Sequence, residues 1–123
     1  MHETALAEGL LRIVRQEAER CKVARVTDIH LRVGLLSAIE AHTLGACFEI
    51  LAAGSVAESA RLHVEQAPLS AHCANCDEHF TLTRRAFYCP HCESPEISFE
   101  GGHGCTIQSI SAESAELEQE IPA

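Results

Sequence analysis

The sequence predicts an α/β fold in which two helices pack on a small three-stranded sheet, with a four-cysteine module inserted before the last strand. Two stretches carry apolar residues at helical spacing, and three stretches alternate between apolar and polar residues. A cysteine-rich segment at residues 67–104 interrupts this series. With 123 residues, 46% of them hydrophobic, the chain is long enough for one domain with a small insertion.

The first element is an amphipathic helix over residues 4–21. Its apolar side chains recur at near-helical spacing: Leu6, Leu10, Ile13, Val14 and Cys21. Residues 26–33 then alternate between apolar and polar side chains, which predicts a strand with one buried face. The same alternation predicts a second strand at residues 61–66 and, less cleanly, a third at residues 105–111.

The second helix is predicted between the first two strands. Gly34 ends the first strand, and the sequence Ser37-Ala38-Ile39-Glu40 predicts a capping box that opens the helix. Apolar residues recur from Ile39 to Leu51, and Gly54 is the predicted stop signal.

The inserted segment holds four of the seven cysteines as two Cys-x-x-Cys pairs separated by twelve residues: Cys73, Cys76, Cys89 and Cys92. The two-residue gap lets both sulfurs of a pair face one ion, so the four thiolates can bind one Zn²⁺ tetrahedrally. A closed four-sulfur site leaves no open position for a substrate, which predicts a structural role. A segment this short needs such support, because it cannot bury a sufficient core alone.

The remaining cysteines and the nearby histidines have simpler interpretations. We predict that Cys21 and Cys47 are core residues of the two helices and that Cys105 is a core thiol rather than a fifth ligand. Four histidines lie near the cysteine pairs: His72, His79, His91 and His103. Each can in principle replace a thiolate, but the interpretation we favour is an exposed loop residue beside the metal.

Charge and composition exclude several function classes. The formal charge of −9 disfavours contact with a phosphate backbone, so nucleic acid is not an expected partner. No apolar run approaches the roughly 20 residues of a membrane span, and the start lacks a signal-peptide pattern. We therefore expect a cytoplasmic protein without membrane insertion, where seven cysteines indicate metal or thiol chemistry. A hydrolase is not expected, because the sequence has no His-Glu-x-x-His motif.

The chain begins Met1-His2-Glu3, a sequence that has two interpretations. The amine of Met1 and the amide nitrogen and imidazole of His2 form linked chelate rings and can lie in one plane around a metal. Planar nitrogen sets favour Ni²⁺ or Cu²⁺ over Zn²⁺, and the Glu3 carboxylate can add a contact. The alternative is an ordinary exposed terminus, and these residues alone do not decide between the two.

Taken together, the motifs resemble the HypA/HybF family, the nickel metallochaperones of [NiFe]-hydrogenase maturation. The shared features are Met1-His2-Glu3 before a helix, the motif Val33-Gly34-x-x-Ser37-x-x-Glu40 leading into Phe48-Glu49, and the paired cysteines. They occur in the family's order and span nearly the whole chain. The chain departs from the family at Leu35, where many members have an acid, and in the entry to the last strand at residues 101–105.

The resemblance implies a ligand set for each metal. Nickel, the transported Ni(II), is expected at Met1, His2 and Glu3, with the acidic position Glu40 contributing; a purely structural helix cap is the alternative for Glu40. Structural Zn(II) is expected at the four cysteines. The implied domains are a nickel-binding α/β domain of residues 1–66 and 105–113, a zinc-binding domain of residues 67–104, and an acidic tail of residues 114–123.

The resemblance also implies nickel delivery rather than catalysis, with the GTPase HypB and the hydrogenase large subunit as partners. The sequence agrees with the need for a partner, since it has no Gly-x-x-x-x-Gly-Lys nucleotide-binding loop. The remaining alternative is a zinc-ribbon adaptor that binds protein or nucleic acid.

Overall fold

The computed structural model describes residues 3–114. Its helices and strands are α1 (Glu3–Cys21), β1 (Val23–Gly34), α2 (Ala41–Ala52), β2 (Arg61–Ala67), β3 (Leu69–Cys73), β4 (His79–Leu82), β5 (Ile97–Glu100) and β6 (Cys105–Ser114). The strands form two three-stranded sheets, ordered β2-β1-β6 and β4-β3-β5. The predicted fold class is therefore confirmed, and the second sheet is an addition that the sequence analysis did not foresee.

The chain divides into two compact units. The first comprises residues up to Leu31, Ala38–Val64 and residues from Ile107, and the second comprises Arg32–Ser37 and Glu65–Thr106. The assignment of a nickel-binding and a zinc-binding domain stays a prediction, and residues 115–123 of the acidic tail lie outside the described residues.

The core of the first unit is built from one face of each helix and the buried residues of β1. Helix α1 buries a stripe at helical spacing, and α2 packs against α1. The buried apolar residues are Ala7, Leu10, Leu11, Val14 and Ala18 of α1, Val26, Ile29 and Leu31 of β1, and Leu44, Phe48 and Ala52 of α2. Burying each large side chain contributes about 2 kcal/mol, so this core stabilises the packing of the first unit.

The start of α2 corrects the predicted capping box. The helix begins at Ala41, and its N-cap is Glu40, whose carboxylate accepts hydrogen bonds from the backbone N–H groups of His42 and Thr43. Ser37 is not the cap, because its hydroxyl is engaged elsewhere: it accepts from the Gly104 N–H (2.8 Å) and donates to the Gly104 carbonyl (3.3 Å). The predicted stop is confirmed, since α2 ends at Ala52 and Gly54 follows with a φ of +79°.

The second unit has its own small core around β3, the central strand of its sheet. Ala71 of β3 lies opposite Phe80 of β4 on one side and Phe99 of β5 on the other, both antiparallel. The core consists of Leu35, Leu69, Ala71 and Leu82, with Leu36, Phe80, Ile97 and Phe99 packed against it. A core cluster of four buried side chains is small for an independent unit, which agrees with the expectation that this segment needs support.

The three cysteines outside the pairs differ from one another. Cys21 is exposed because it is the last residue of α1, beyond the buried stripe, so its prediction as a core residue was wrong. Cys47 is half-buried, with its sulfur 3.6 Å from the Thr4 hydroxyl. Cys105 is also half-buried, and burial raises the pKa of its thiol.

Neither helix in the described range 3–114 is long and apolar enough to cross a membrane.

Candidate metal centres

The two cysteine pairs sit in loops with the same backbone construction. In the first, the Asp77 N–H donates to the Cys73 carbonyl (2.9 Å); in the second, the Glu93 N–H donates to the Cys89 carbonyl (2.8 Å). Asp77 and Glu93, which follow the second cysteine of each pair, both have a φ of 62°. This left-handed turn folds each loop back over its first cysteine. The two Cys-x-x-Cys pairs, which have the same spacing in the sequence, therefore also have the same backbone geometry.

The loops bring four sulfurs into one cluster. The Sγ atoms of Cys73, Cys76, Cys89 and Cys92 all lie within 4.8 Å of one another. The distances between Cys73 and Cys92 and between Cys76 and Cys89 are both 3.6 Å. Four ligands at a Zn–S distance of about 2.3 Å in tetrahedral geometry are about 3.8 Å apart, so the cluster fits one such ion. The four predicted cysteines can therefore hold a metal.

Two thiols of this cluster, those of Cys92 and Cys76, have pKa values shifted in opposite directions. The pKa of Cys92 falls to about 6, chiefly because the Asn75 side-chain amide donates to its sulfur (3.5 Å) and the Ser94 N–H adds a second donor. At Cys76 the hydrogen bond from the Glu78 backbone favours the thiolate, but burial and the three neighbouring sulfurs outweigh it and raise the pKa to about 12. Thiols this close do not all ionise unless a cation compensates their charge.

The histidines near the cysteines remain outside this cluster. His72 and His79 lie on β3 and β4 rather than in loops, with ring centroids 4.6 Å apart, and Nε2 of His72 is 2.6 Å from the Asp77 carboxylate. His91 and His103 are exposed. Within the described residues, the four cysteines form the one group of three or more metal-ligating side chains. The predicted loop position was therefore wrong for His72 and His79.

The predicted nickel ligands are only partly described. Met1 and His2 lie outside the described residues. Glu3 is the first residue of α1, and its Oε2 accepts a hydrogen bond from the Glu40 backbone N–H at 3.1 Å. Two of the four predicted residues, distant in sequence, are therefore in direct contact where the N-termini of α1 and α2 meet.

Both oxygens of Glu40 are engaged by its own helix. Oε1 accepts from the His42 N–H (3.2 Å), and Oε2 accepts from the N–H (2.7 Å) and hydroxyl (2.8 Å) of Thr43. The Thr43 hydroxyl and then the two N–H groups hold the pKa of Glu40 below its usual value, so the side chain stays ionised. The sequence analysis missed the roles of Thr43 and Asn75. The sequence patterns that could have indicated them are a hydroxyl residue three positions after Glu40 and an amide residue between the two cysteines of a pair.

Comparison with known proteins decides the family. A sequence model described as "Hydrogenase/urease nickel incorporation, metallochaperone, hypA" matches residues 1–112. The chain belongs to the HypA/HybF family. The resemblance drawn from the sequence motifs is therefore confirmed, and membership places the protein in a family of nickel-incorporation metallochaperones.

Several HypA/HybF relatives match over their full length. The hydrogenase maturation factor HybF of Salmonella typhimurium is 33% identical over 113 residues, covering 92% of this chain and 100% of the relative. The hydrogenase maturation factor HypA of Escherichia coli is 33% identical over 121 residues, covering 98% and 100%. The solution structure of the nickel metallochaperone HypA from Helicobacter pylori has a TM-score of 0.64 at 19% identity, covering 93% of this chain and 99% of that one. A second HypA solution structure has a TM-score of 0.61 at 20% identity, covering 91% and 96%, so these HypA proteins share the fold.

Proposed function

We propose that this HypA/HybF protein binds Ni(II) at its N-terminus and delivers it during [NiFe]-hydrogenase maturation. The observation that carries the proposal is the family match, which extends from residue 1 and so includes Met1-His2-Glu3. The relatives described above are hydrogenase maturation factors, which favours a hydrogenase over a urease as the recipient.

Nickel is the cargo of the proposed site. The Met1 amine and the two nitrogens of His2 supply a planar nitrogen set, which suits Ni²⁺. The carboxylates of Glu3 and Glu40 supply oxygen donors and negative charge beside it. The hydrogen bond between Glu3 and Glu40 supports this arrangement, because it fixes the first turn of α1 against the start of α2. Oε1 of Glu40 accepts one hydrogen bond and Oε2 accepts two, which favours Oε1 as the nickel contact.

The four cysteines are proposed to hold structural Zn(II). The sulfur spacing and the all-thiolate donor set fit zinc, and four protein ligands leave no open coordination position. Two N–H groups donate hydrogen bonds to the sulfurs: the Asn75 side-chain amide to Cys92 (3.5 Å) and the His91 backbone N–H to Cys89 (3.4 Å). These bonds stabilise the thiolate charge that metal binding requires. The cysteines are all free thiols, which suits a reducing cytoplasm.

The proposed partners supply what this chain lacks in its sequence. Delivery against a tight chelate needs a driving step, and the chain has no Gly-x-x-x-x-Gly-Lys loop to bind a nucleotide. The GTPase HypB is the proposed source of that step, and the hydrogenase large subunit is the proposed recipient of nickel.

Adding one glycine before Met1 is expected to lower nickel affinity by about 100-fold or more, because the amine becomes an amide and the His2 imidazole moves out of register. Mutation of a residue that only hydrogen-bonds to a metal ligand typically lowers metal affinity by about 10–100-fold. Loss of a ligand itself should therefore lower the affinity by at least as much. His2→Ala should have a similar effect. Titration calorimetry with Ni²⁺ on untagged protein measures both. Zinc content and the circular dichroism spectrum should stay unchanged in both variants. Equal nickel affinity in the parent protein, the glycine-extended protein and His2→Ala would overturn the N-terminal site.

Replacing Glu40 with serine is expected to weaken nickel binding about tenfold or more while α2 remains capped. Serine is a good N-cap, so the helix should lose no more than about 1 kcal/mol, mostly from the missing charge at its N-terminus. Glu40→Asp, which keeps both the charge and the cap, is the matched control. If Glu40→Ser binds nickel as tightly as Glu40→Asp, Glu40 is a helix cap only.

A further inference from the structure

Two histidines on neighbouring strands of the first sheet form a stacked pair, called the histidine pair below. The ring centroids of His30 in β1 and His63 in β2 are 4.4 Å apart, and the ring planes differ by 10°. Both side chains are exposed, and both residues belong to the first unit. The histidine pair is therefore a group of metal-ligating side chains that neither of the proposed metal sites uses.

A carboxylate of β1 holds one ring of the histidine pair. Nε2 of His63 lies 2.7 Å from Oδ1 of Asp28. Asp28 and His30 alternate along β1 with the buried Ile29 and Leu31, so both lie on the opposite face of the strand from these core residues. The hydrogen bond from His63 is the largest cause that keeps the pKa of Asp28 below its usual value. The carboxylate is therefore ionised at neutral pH, where it faces the His63 ring.

This hydrogen bond determines which nitrogen of His63 is available to a metal. An ionised carboxylate can only accept, so Nε2 of His63 carries the hydrogen. When the ring is neutral, its lone pair is then on Nδ1, the atom that can bind a cation. A histidine that ligates a metal through one nitrogen almost always donates its other N–H to a carboxylate, a carbonyl or water, which fixes the orientation of the ring. Asp28 already provides that support, which a simple packing contact between two rings does not require.

The spacing of the histidine pair fits one cation. Two imidazole nitrogens that bind a metal at about 2.0–2.1 Å in tetrahedral geometry are about 3.4 Å apart. Rings whose centroids are 4.4 Å apart reach this separation by a turn about χ2, a torsion with a broad distribution in histidine. The carboxylate of Asp28 is engaged by His63, so it positions a ligand and is not itself a third ligand.

We propose that His30 and His63 form a separate, exchangeable site for a late first-row divalent cation (Ni²⁺, Cu²⁺ or Zn²⁺), with Asp28 as its positioning residue. Imidazole suits these cations, whereas Mg²⁺ and Ca²⁺ prefer oxygen ligands. Two protein ligands leave the remaining coordination positions to water, so the cation is released easily. The four cysteines, by contrast, close their site. The histidine pair shares no residue with the proposed nickel and zinc sites, so each site can be tested without the others.

Histidine side-chain NMR of the zinc-loaded protein tests the site directly. The probe is Zn²⁺, which is diamagnetic, titrated above the one equivalent expected at the cysteines. The signals of Nδ1 of His63 and of one ring nitrogen of His30 should shift together, while Nε2 of His63 keeps its hydrogen. Binding at the N-terminus shifts the signals of His2 instead, so this result stands or falls independently of the proposed nickel site.

Three substitutions test the role of each residue. His63→Asn should abolish the shift at His30, and His30→Asn the shift at His63, because one imidazole alone binds Zn²⁺ weakly. Asp28→Asn should raise the dissociation constant obtained from these shifts about tenfold or more, and the hydrogen of His63 should no longer be confined to Nε2. His103→Asn is the matched control, because His103 is exposed and outside the histidine pair, and it should leave the shifts unchanged. The circular dichroism spectrum should be the same in all four variants.

A second pair of rings is the competing location for the added cation. His72 and His79 have ring centroids 4.6 Å apart, and Nε2 of His72 lies 2.6 Å from the Asp77 carboxylate. His79→Asn should leave the shifts of the histidine pair intact. Shifts confined to His72 and His79, or no shift of the histidine pair at excess Zn²⁺, would overturn the site. An unchanged dissociation constant in Asp28→Asn would overturn the positioning role of that carboxylate.

Discussion

Replacing Cys73 with alanine should release about one zinc ion per chain and unfold the second unit, while the first unit keeps its fold. Cys73 is fully buried, and its sulfur lies 3.6 Å from that of Cys92 in the four-sulfur cluster. The core cluster of the second unit is small, so we expect the stability of this unit to depend on a metal bound by the cysteines. Structural zinc sites in short peptides contribute about 10–16 kcal/mol at pH 7, far more than such a core supplies.

The measurement combines zinc content with limited proteolysis. Cleavage is expected in the segment between the two cysteine pairs, where Arg84 and Arg85 are exposed trypsin sites. Cys92→Ala should behave like Cys73→Ala. Cys21→Ala is the matched control, because Cys21 is exposed and outside the cluster, and it should retain zinc and resist cleavage. A Cys73→Ala protein with a full complement of zinc and an uncut second unit would refute the assignment.

Features that depend on local spacing were predictable from the sequence. The two-residue gap within each cysteine pair already limits where the sulfurs point, and the structure places Cys73, Cys76, Cys89 and Cys92 in one cluster. The apolar periodicity of α1 follows from the geometry of a single helix, as does the alternation along β1. In these elements, neighbours in sequence determine the structure.

Features that depend on distant partners were not predictable. Ser37 has the sequence context of a helix cap, but its hydroxyl bonds to Gly104, which is 67 residues away, and Glu40 caps α2 instead. The contact between Glu3 and Glu40 depends on the docking of two helices. Strands β4 and β5 have only four residues each, too few for their alternation to stand out in a sequence, and they pair on either side of β3.

Replacing Gly34 with alanine is expected to destabilise the second unit by about 3 kcal/mol, although alanine normally stabilises a strand relative to glycine by about 0.5–1 kcal/mol. A Cβ at this position would lie 2.5 Å from the carbonyl carbon of Gly102 and 2.8 Å from the His103 nitrogen, with the Gly102 oxygen closer still. All three are backbone atoms, which cannot rotate away as a side chain does, so residues 101–104 must move.

That movement breaks the contacts that close the unit. The Gly34 N–H donates to the Gly104 carbonyl (2.9 Å), and the Leu36 N–H donates to the Gly102 carbonyl (2.7 Å). Losing these two hydrogen bonds costs about 1 kcal/mol each, and loosened packing around the fully buried Leu35 adds to this. The glycine of the Val33-Gly34 motif therefore has a structural role, because only a residue without a side chain admits the returning segment.

Urea unfolding of the zinc-loaded protein measures the effect of Gly34→Ala. Gly45→Ala is the control: its Cβ meets nothing within 4 Å, and in helix α2 alanine should stabilise the protein by about 1 kcal/mol. The two glycine-to-alanine changes should thus have opposite signs. Zinc should remain bound in the folded Gly34→Ala protein, because the contacts of Gly34 described above are with Gly102, His103 and Gly104 and not with the cysteine cluster. If Gly34→Ala is as stable as the parent chain, the close approach of residues 101–104 to Gly34 does not constrain the fold.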